Sequence, residues 1–500
     1  MKKINIENKN EYENKNENEN SNENKKNNFI GGIKASFSGR KFKTGAYTTV
    51  LSVVVIIIIL VVNLVVSKMN LQIDLSSQSM FTLTEDTKNL LKGLEDDITI
   101  YYVVSQGNET KEFENIAKLY DSASNKIALE YKDPVLYPNF ASKYVDDEIA
   151  QNSFLVVNNT NQRAKYIPGA DLLVQELNYQ TYSMDTTGID VEGELTSAIS
   201  YVTTEDLPVM YVVEGHGETA AGDTFNSSLD KMNVEVQTLA TATQTSIPKD
   251  CDILYINAPQ TDFTEEEATI IKDYLAAGGK AIININYLDY DCPNLLSILD
   301  YYGIEMVKGM VFEGDSGMHM ANYPHVMYPT IESHDITDLA SDNQIPILMP
   351  YASGLLISDT TRSSLTVEPL LTTSDAAYSK VADSITVADK EEGDIDGPFY
   401  LGLVATDTYN DNTASLVVYS TEMTFSDDTS KYSNTDLLSG TVGYLVGDRT
   451  TISIPTKSLS ESYISTTELE VILWGGFAVA VIPLLILISG GVICFRRRRK

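Results

Sequence analysis

The sequence predicts an α/β fold, with a parallel-sheet domain and a smaller α/β domain between two transmembrane helices. Within residues 98–285, short apolar runs of strand length alternate with amphipathic helical stretches, which is typical of a sheet covered by helices. Residues 45–66 and 471–495 are apolar runs without a charged side chain. Each exceeds the roughly 20 apolar residues that a helix needs to cross a bilayer. The chain is therefore predicted to be a membrane protein with one large region held between two anchors.

Basic residues beside the two apolar runs predict the orientation. Four Lys or Arg residues lie within residues 34–43, and residues 496–500 are all basic. Positive charge next to a span stays in the cytoplasm, so both termini are predicted inside and residues 67–470 outside the cytoplasmic membrane. A cleaved signal peptide is the alternative for the first run, but its apolar core would have only about 7 to 15 residues. Residues 1–44 are predicted to be a disordered basic cytoplasmic tail, because Asn, Lys and Glu bury little apolar surface.

Acidic side chains dominate the predicted outer region. The chain has 36 basic and 70 acidic residues, and without the two tails 21 basic and 64 acidic residues remain. Such a surface repels nucleic acid and anionic headgroups, because affinity for phosphate requires Lys and Arg. It could hold divalent cations, but a solvated acidic exterior is the favoured interpretation. The sequence therefore predicts no nucleic-acid partner.

The cysteines do not indicate a cofactor. Cys251 and Cys292 lie in the predicted outer region and could pair, although Cys251 precedes an apolar strand-like run and is equally compatible with burial. No CxxC pattern or Cys/His cluster occurs, so neither zinc nor an iron–sulfur centre is predicted. We expect the domain to be stabilised by its core and to carry no metal or other cofactor.

Residues 67–205 are predicted to form the membrane-proximal α/β domain. Thr84 can cap a helix, with Thr87 at the position where a complete capping box has Glu, and leucines follow at helical spacing. The further predicted elements are strands at 98–104, 127–132 and 153–158, and helices at 113–124 and 191–201.

Residues 206–468 are predicted to form a second α/β domain. Thr264 can cap a helix with three Glu in its first turn, where the helix dipole favours anions, and Gly278 and Gly279 supply its end. A loop-rich stretch from about 310 to 400 precedes late elements that are expected to complete the same sheet. The predicted strands are 209–213, 252–257, 280–285, 416–420 and 452–454, and the other predicted helices are 225–232 and 435–445.

The most concentrated polar group is the loop Glu214-Gly215-His216-Gly217-Glu218, which follows a predicted strand. Open α/β sheets bind ligands at the carboxyl ends of their strands, so Glu214, His216 and Glu218 are the candidate binding residues. Two carboxylates beside an imidazole could transfer protons or bind a metal. The favoured alternative is structural, with the glycines shaping a tight turn and His216 hydrogen-bonding the loop backbone.

Other catalytic patterns are weak or absent in the sequence. Residues 314–317 (GDSG) with His319 resemble a serine-hydrolase string, but no strand–elbow–helix pattern surrounds them, and a surface turn is favoured. No phosphate-binding loop of the GxxxxGK[ST] type occurs, so the chain is not expected to be an ATPase. The sequence predicts no enzyme.

Several stretches, in this order and spacing, resemble the GldG family of membrane proteins associated with ABC transporters, which in some bacteria is linked to gliding motility. No single stretch is decisive, and together they cover nearly the whole chain beyond the first tail. The stretches are residues 74–94, 192–199 with 214–218, 252–283 and 434–454, followed by the Pro483-containing apolar run.

The resemblance implies an external domain similar to class I glutamine amidotransferases, preceded by a thioredoxin-like unit, with an ABC permease and an ABC ATPase as partners. Amidotransferase activity is not implied, because the strand at 252–257 runs into Ala258 and Pro259 instead of a nucleophilic Cys. The leading hypothesis is a non-catalytic auxiliary subunit of an ABC-2-type transport complex. The alternatives are a cell-envelope hydrolase that uses the Glu214–His216–Glu218 loop and a stand-alone envelope-binding or sensory ectodomain.

Overall fold

The computed structural model covers most of the region between the two predicted spans. The chain divides into two compact units, Met1–Leu75 and Ser76–Lys500. The residues that the structure describes are 53–61, 81–145, 149–178, 183–287, 292–342, 345–359, 362–381, 387–409, 412–447, 454, 457–458, 488 and 490.

Little of the predicted membrane anchors lies within the described residues. Residues 53–61 are helical, and their apolar side chains are exposed. Among the described residues, no helix combines the length and apolarity needed to span a bilayer. Most of residues 45–66 and 471–495, and both predicted tails, lie outside the described residues, so the two-pass topology stays a prediction.

The amino-terminal lobe, residues 81–203, consists of two small sheets and three helices. Thr84 caps the first helix as predicted, because its hydroxyl accepts a hydrogen bond from the Thr87 amide. The elements of this lobe are α1 (Glu85–Lys92), β1 (Ile98–Val103), α2 (Lys111–Ala123), β2 (Ile127–Lys132), β3 (Ser153–Asn158), β4 (Ala164–Ile167), β5 (Leu173–Asn178), β6 (Ser183–Ile189) and α3 (Val191–Thr203).

The larger sheet of this lobe has the strand order β2-β1-β3-β4. Strands β1 and β2 are parallel, and the other neighbours are antiparallel. Helices α2 and α3 pack against this sheet, and α1 packs against α2 and α3. Their shared core includes Ile100, Tyr102, Ile116, Tyr120 and Leu195, all fully buried.

The carboxy-terminal lobe, residues 209–447, is larger and has a ten-stranded sheet. Its first elements are β7 (Val209–Glu214), α4 (Asp223–Lys231), β8 (Glu235–Ala240), β9 (Ile253–Asn257), α5 (Glu265–Ala276), β10 (Lys280–Asn284), α6 (Pro293–Tyr301) and β11 (Ile304–Val307). Short strands follow, β12 (Met310–Phe312), β13 (His319–Met320), β14 (Tyr323–Met327) and β15 (Thr330–Ile331). The remaining elements are α7 (Asp338–Asp342), β16 (Met349–Pro350), β17 (Gly354–Ile357), β18 (Leu365–Thr372), β19 (Tyr378–Lys380), β20 (Ile395–Asp396), β21 (Tyr400–Tyr409), β22 (Asn412–Tyr419) and α8 (Asn434–Val446).

The main sheet is parallel on one side and antiparallel on the other. Its order is β11-β17-β21-β22-β10-β9-β7-β8, with β18 beside β21. The pairs β8–β7, β7–β9, β9–β10 and β10–β22 are parallel, as predicted from the alternating strands and helices. Strands β22, β21, β17 and β11 pair antiparallel. The antiparallel half was not predicted. Only two residues separate β21 from β22, and a parallel crossover needs about a dozen or more.

Apolar residues cover both faces of this sheet. Successive residues of a strand point to opposite faces, so one strand supplies two cores. In β9, Ile253 and Tyr255 pack on one face with Phe225 of α4, while Leu254 and Ile256 pack on the other. The late strand β22 completes the sheet as predicted. Of the predicted strand at 452–454, only Ile454 is described, and it lies outside any strand.

A short strand near the end of the described chain returns to the amino-terminal lobe. Strand β23 (Lys457–Ser458) pairs antiparallel with β6, and Lys457 lies opposite Ile189. The structure therefore brings residue 457 back beside the first lobe, next to the start of α3.

Polar contacts join the two lobes along α3. Lys231, at the end of α4, pairs with Asp190, which directly precedes α3. The Asn233 side-chain amide donates to the Ser197 carbonyl at 3.0 Å. Gly193 leaves room for the Lys231–Asp190 pair, because a Cβ at that position would lie 2.3 Å from the Asp190 carboxylate. The interface therefore includes a largely buried ion pair between Lys231 and Asp190.

We expect Glu194→Gln to stabilise the protein at pH 8. Burial raises the pKa of the Glu194 carboxyl to about 7 from the ordinary 4.5. A raised folded-state pKa means that the folded protein holds this proton more tightly than the unfolded chain does. The carboxyl therefore lowers stability as pH rises from 4.5 to 7, and the full penalty is present above 7. Glutamine removes that penalty, and we expect a gain of about 1 kcal/mol after allowing for partial exposure.

Thermal unfolding of the full chain at pH 5 and pH 8 measures this effect. The difference between Glu194→Gln and wild type should be larger at pH 8 than at pH 5. Glu205→Gln is the control, because Glu205 is exposed just after the same helix. An equal gain at both pH values would contradict a raised pKa of the Glu194 carboxyl.

Candidate functional site

The predicted binding loop forms a tight turn at the carboxyl end of β7. Gly215 and Gly217 have φ of 120° and 75°, values that side chains with a Cβ rarely adopt. The carbonyl of His216 accepts hydrogen bonds from the amides of Gln260 and Thr261, in the loop after β9. The glycine-shaped turn of the structural interpretation is therefore present, and it is held by the neighbouring parallel strand.

The imidazole of His216 lies buried between two carboxylates. Its Nδ1 is 3.2 Å from Oε1 of Glu218, and its Nε2 is 3.2 Å from the carboxylate of Glu267. Phe263 packs against the ring at 4.3 Å between centroids. Glu214 is exposed to solvent, whereas the buried ring of His216 contacts Glu218 and Glu267. The structure thus brings two of the three predicted residues together and adds Glu267.

Glu267 is the residue that the sequence interpretation missed. It completes a capping box with Thr264, whose amide and hydroxyl each donate to Oε2 at 2.9 Å. The Thr241 hydroxyl, after β8, donates to Oε1 at 2.7 Å. Burial alone would raise the pKa of this carboxyl, but the Thr264 amide, both threonine hydroxyls and His216 together lower it to about 2. The charged carboxylate is therefore the stable form at neutral pH.

The His216 cluster, comprising His216, Glu218, Thr241, Thr264 and Glu267, is filled by its own side chains. Side-chain exposure is 9% for His216, 7% for Glu218 and 4% for Glu267. Both ring nitrogens already face carboxylate oxygens, so an approaching substrate would have to displace an internal partner. The arrangement ties the ends of β7, β8 and β9 together.

The other predicted chemical sites do not form reactive centres within the described residues. Cys251 and Cys292 do not form a disulfide bond with each other, so the pairing alternative is wrong. Burial raises the pKa of the Cys251 thiol to about 11, which disfavours the nucleophilic thiolate. Residues 314–317 form the predicted turn, in which the Gly317 amide bonds the Asp315 carboxylate. Among the described residues, no group of three or more His, Cys, Asp or Glu could hold a metal ion.

A second buried cluster brings together residues from near the start and near the end of the predicted outer region, residues 67–470. Oε1 of Glu192 accepts hydrogen bonds from the Thr84 amide at 2.6 Å and from the Thr84 and Thr87 hydroxyls at 2.9 Å. Oε2 of Glu192 lies 2.7 Å from Nζ of Lys457, which also donates to the Thr82 carbonyl at 2.7 Å. Side-chain exposure is 2% for Glu192 and 8% for Lys457. We call these five residues the Glu192 cluster.

The fold and the two clusters define an α/β protein in which buried charges hold chain segments together. Residues 207–398 match the family model described as an ABC-type uncharacterized transport system. Residues 77–172 match a domain model of unknown function. The first match supports an auxiliary protein of an ABC transport system, with an ABC permease and ATPase as partners. An auxiliary role is consistent with a protein that is not an enzyme.

Solved structures share only a low overall likeness with the chain. The N-terminal domain of mmIFT52 is 16% identical, with a TM-score of 0.36 over 48% of this chain and 98% of its own length. PurLQS from Thermotoga maritima is 13% identical, with a TM-score of 0.28 over 48% and 99%. A ThuA-like protein from Parabacteroides merdae is 11% identical, with a TM-score of 0.29 over 50% and 94%. No curated protein matches the chain. These likenesses are too low to bear on function.

Proposed function

We propose that the chain is a non-catalytic auxiliary subunit of an ABC-2-type transport complex in the cytoplasmic membrane, and a member of the GldG family. Its two spans contact the permease. Its outer α/β region includes an amidotransferase-like domain, which binds cargo or a cell-envelope partner on the external side or couples to the transport complex. The family match over residues 207–398 supports the transport association. The closed His216 cluster favours a structural role over the hydrolase alternative.

The observation that carries a coupling role is the Glu192 cluster. Thr82 follows the first predicted span by 16 residues, and Lys457 precedes the second by 14. Lys457 contacts both the Thr82 carbonyl and the Glu192 carboxylate. The chain that leaves one predicted span and the chain that enters the other are therefore held at one point of the outer region. A movement of one span relative to the other would act directly on this point.

Purification of the full chain in mild detergent tests the association. We expect a permease and an ATPase to copurify, both identified by mass spectrometry, whereas an unrelated two-span protein carrying the same tag should recover neither. Absence of both partners from the purified chain would contradict the proposal.

The coupling role has a separate test. The double variant Glu192→Gln with Lys457→Met removes both buried charges while leaving an acceptor for the threonines, and such paired replacements are often close to neutral for stability. We expect this variant to retain the permease and the ATPase but to lose its effect on the ATPase rate. An unchanged rate effect would contradict coupling through the Glu192 cluster and leave the association intact.

A further inference from the structure

A cleft of about 860 Å³ lies between the two lobes, and the residues that line it belong to neither buried cluster. One wall is formed by α1 and the residues after it, including Asp86, Leu90 and Leu94. The opposite wall comes from α7 and α8, including Leu339 and Tyr444. We call this space the inter-lobe cleft. Its volume is within the range of about 300 to 1,000 Å³ that is usual for ligand pockets.

Small residues of α8 give the cleft its depth. Ser439, Gly440 and Gly443 line it, so no large side chain projects from this part of the wall. Gly440 also fixes the backbone beneath, because a Cβ there would lie 2.1 Å from the Ile336 carbonyl oxygen. The close packing of α8 on the turn before α7 therefore requires glycine at position 440, because any larger residue there would have to move the backbone.

Carboxylates line the same cleft as the apolar side chains of its two walls. Asp86, Glu95, Asp96 and Asp335 line the cleft, and none of its described lining residues is Lys or Arg. A hydrogen bond from Asn158 is the main cause that lowers the pKa of the Asp96 carboxyl, so this group is charged at neutral pH. A lining with charges of one sign attracts cations and repels phosphate-bearing ligands.

The apolar side chains on the two walls indicate a ligand other than a free cation. Leu90 and Leu94 are half-buried, and Leu339 is 36% exposed. A metal ion gains nothing from these leucines, whereas an apolar side chain that enters the cleft removes their surface from water. Surfaces with an apolar centre and a charged rim are the usual arrangement of protein–protein contacts. The chain's own basic tails are predicted to lie on the opposite side of the membrane.

We propose that the inter-lobe cleft binds a short segment of a partner protein in which Lys or Arg residues flank an apolar side chain. The apolar side chain enters between α1 and α8, and the basic groups meet the carboxylates of the rim. This assignment rests on the cleft and its charges, and it holds whether or not the partner belongs to a transport complex.

Peptide binding to the full chain in neutral-lipid nanodiscs tests the proposal. The probe is a fluorescein-labelled peptide, Lys-Ser-Leu-Ser-Lys-Ser. The control peptide has Glu in place of each Lys. We expect Asp86→Asn with Asp335→Asn to weaken binding of the Lys peptide by about fivefold at low salt, since each exposed pair contributes modestly. Leu339→Ala should weaken it as well. The matched control is Asp375→Asn with Glu305→Gln, two exposed carboxylates outside the cleft, and we expect less than about twofold from it.

Each other outcome is decisive against the proposal. Equal weakening by the control pair would assign binding to the diffuse acidic surface. Equal binding of the Glu peptide would exclude charge recognition. Full displacement by spermidine or Mg²⁺, together with no effect of Leu339→Ala, would show a cation site instead of a protein-docking site. Circular dichroism on every variant establishes that the fold is retained.

Discussion

Replacing Glu192 with alanine is expected to lower the free energy of unfolding by about 3 to 5 kcal/mol, which is typical when one partner of a buried ion pair is removed. The substitution leaves the Lys457 ammonium without a carboxylate, and Lys457 is only 8% exposed. It also removes the acceptor of the Thr84 amide and of the Thr84 and Thr87 hydroxyls. Buried donors without acceptors add to the loss. Chemical denaturation of the full chain, followed by circular dichroism, measures the effect.

Two comparison variants make this result specific. Glu85→Ala removes an exposed ion pair with Lys88, in which the Glu85 side chain is 76% exposed. We expect it to change stability little, because water screens such pairs. Glu192→Gln with Lys457→Met should recover most of the lost stability, because no buried charge remains unpaired. A loss below about 1 kcal/mol for Glu192→Ala would show that the pair is not buried as described.

The Glu192 cluster also shows how far local sequence reasoning reaches. The helix cap at Thr84 was predictable from its hydroxyl and the leucines that follow. A complete capping box would have Glu at position 87, and this chain has Thr. The structure supplies the carboxylate from Glu192, which is 108 residues away from Thr84. Helix α1 itself is predictable from its local sequence pattern. The position of the Glu192 carboxylate depends on how α3 packs on α1, and that packing cannot be predicted from residue spacing in the sequence.

The position of the candidate site was predictable from the sequence, but the full set of residues that form it was not. The loop after β7 was correctly placed at the carboxyl end of a strand, and its glycines adopt the expected positive φ. Thr264 was recognised as a helix cap, but Glu267 was interpreted only through the helix dipole. Its carboxylate is 51 residues from His216 along the chain. Only the parallel pairing of β7 with β9 places the two loops at the same edge of the sheet.

The antiparallel half of the main sheet shows the same limit. Strand β21 was not predicted, although β22 next to it was. Strand β18 contains Pro369, which argues against a strand in the sequence because proline cannot donate a ladder hydrogen bond. In the structure, β18 pairs with β21 with register irregularities around Pro369. Tertiary pairing has overridden a local signal that points to a loop.

Glu267→Gln is expected to cost about 2 kcal/mol of stability at pH 7, and the cost should depend on pH. The pKa of Glu267 is about 2 in the folded protein, against an ordinary value of 4.5. A lowered folded-state pKa means that this carboxylate contributes its full stabilisation above pH 4.5 and loses it as pH falls through 2. Glutamine has no such charge, so the gap between wild type and variant should be largest at neutral pH.

Denaturation of both full-length proteins at pH 7 and pH 3 measures this gap, which should fall to about half at pH 3. Glu214→Gln is the matched control, since Glu214 lies in the same predicted site but is exposed. We expect this control to stay close to wild type at both pH values. If Glu214→Gln were as costly as Glu267→Gln, the assignment of His216 to the Glu218–Glu267 pair would be wrong. If instead the gap for Glu267 stayed constant with pH, the substitution would be acting through shape and not through the charge that holds β7, β8 and β9 together.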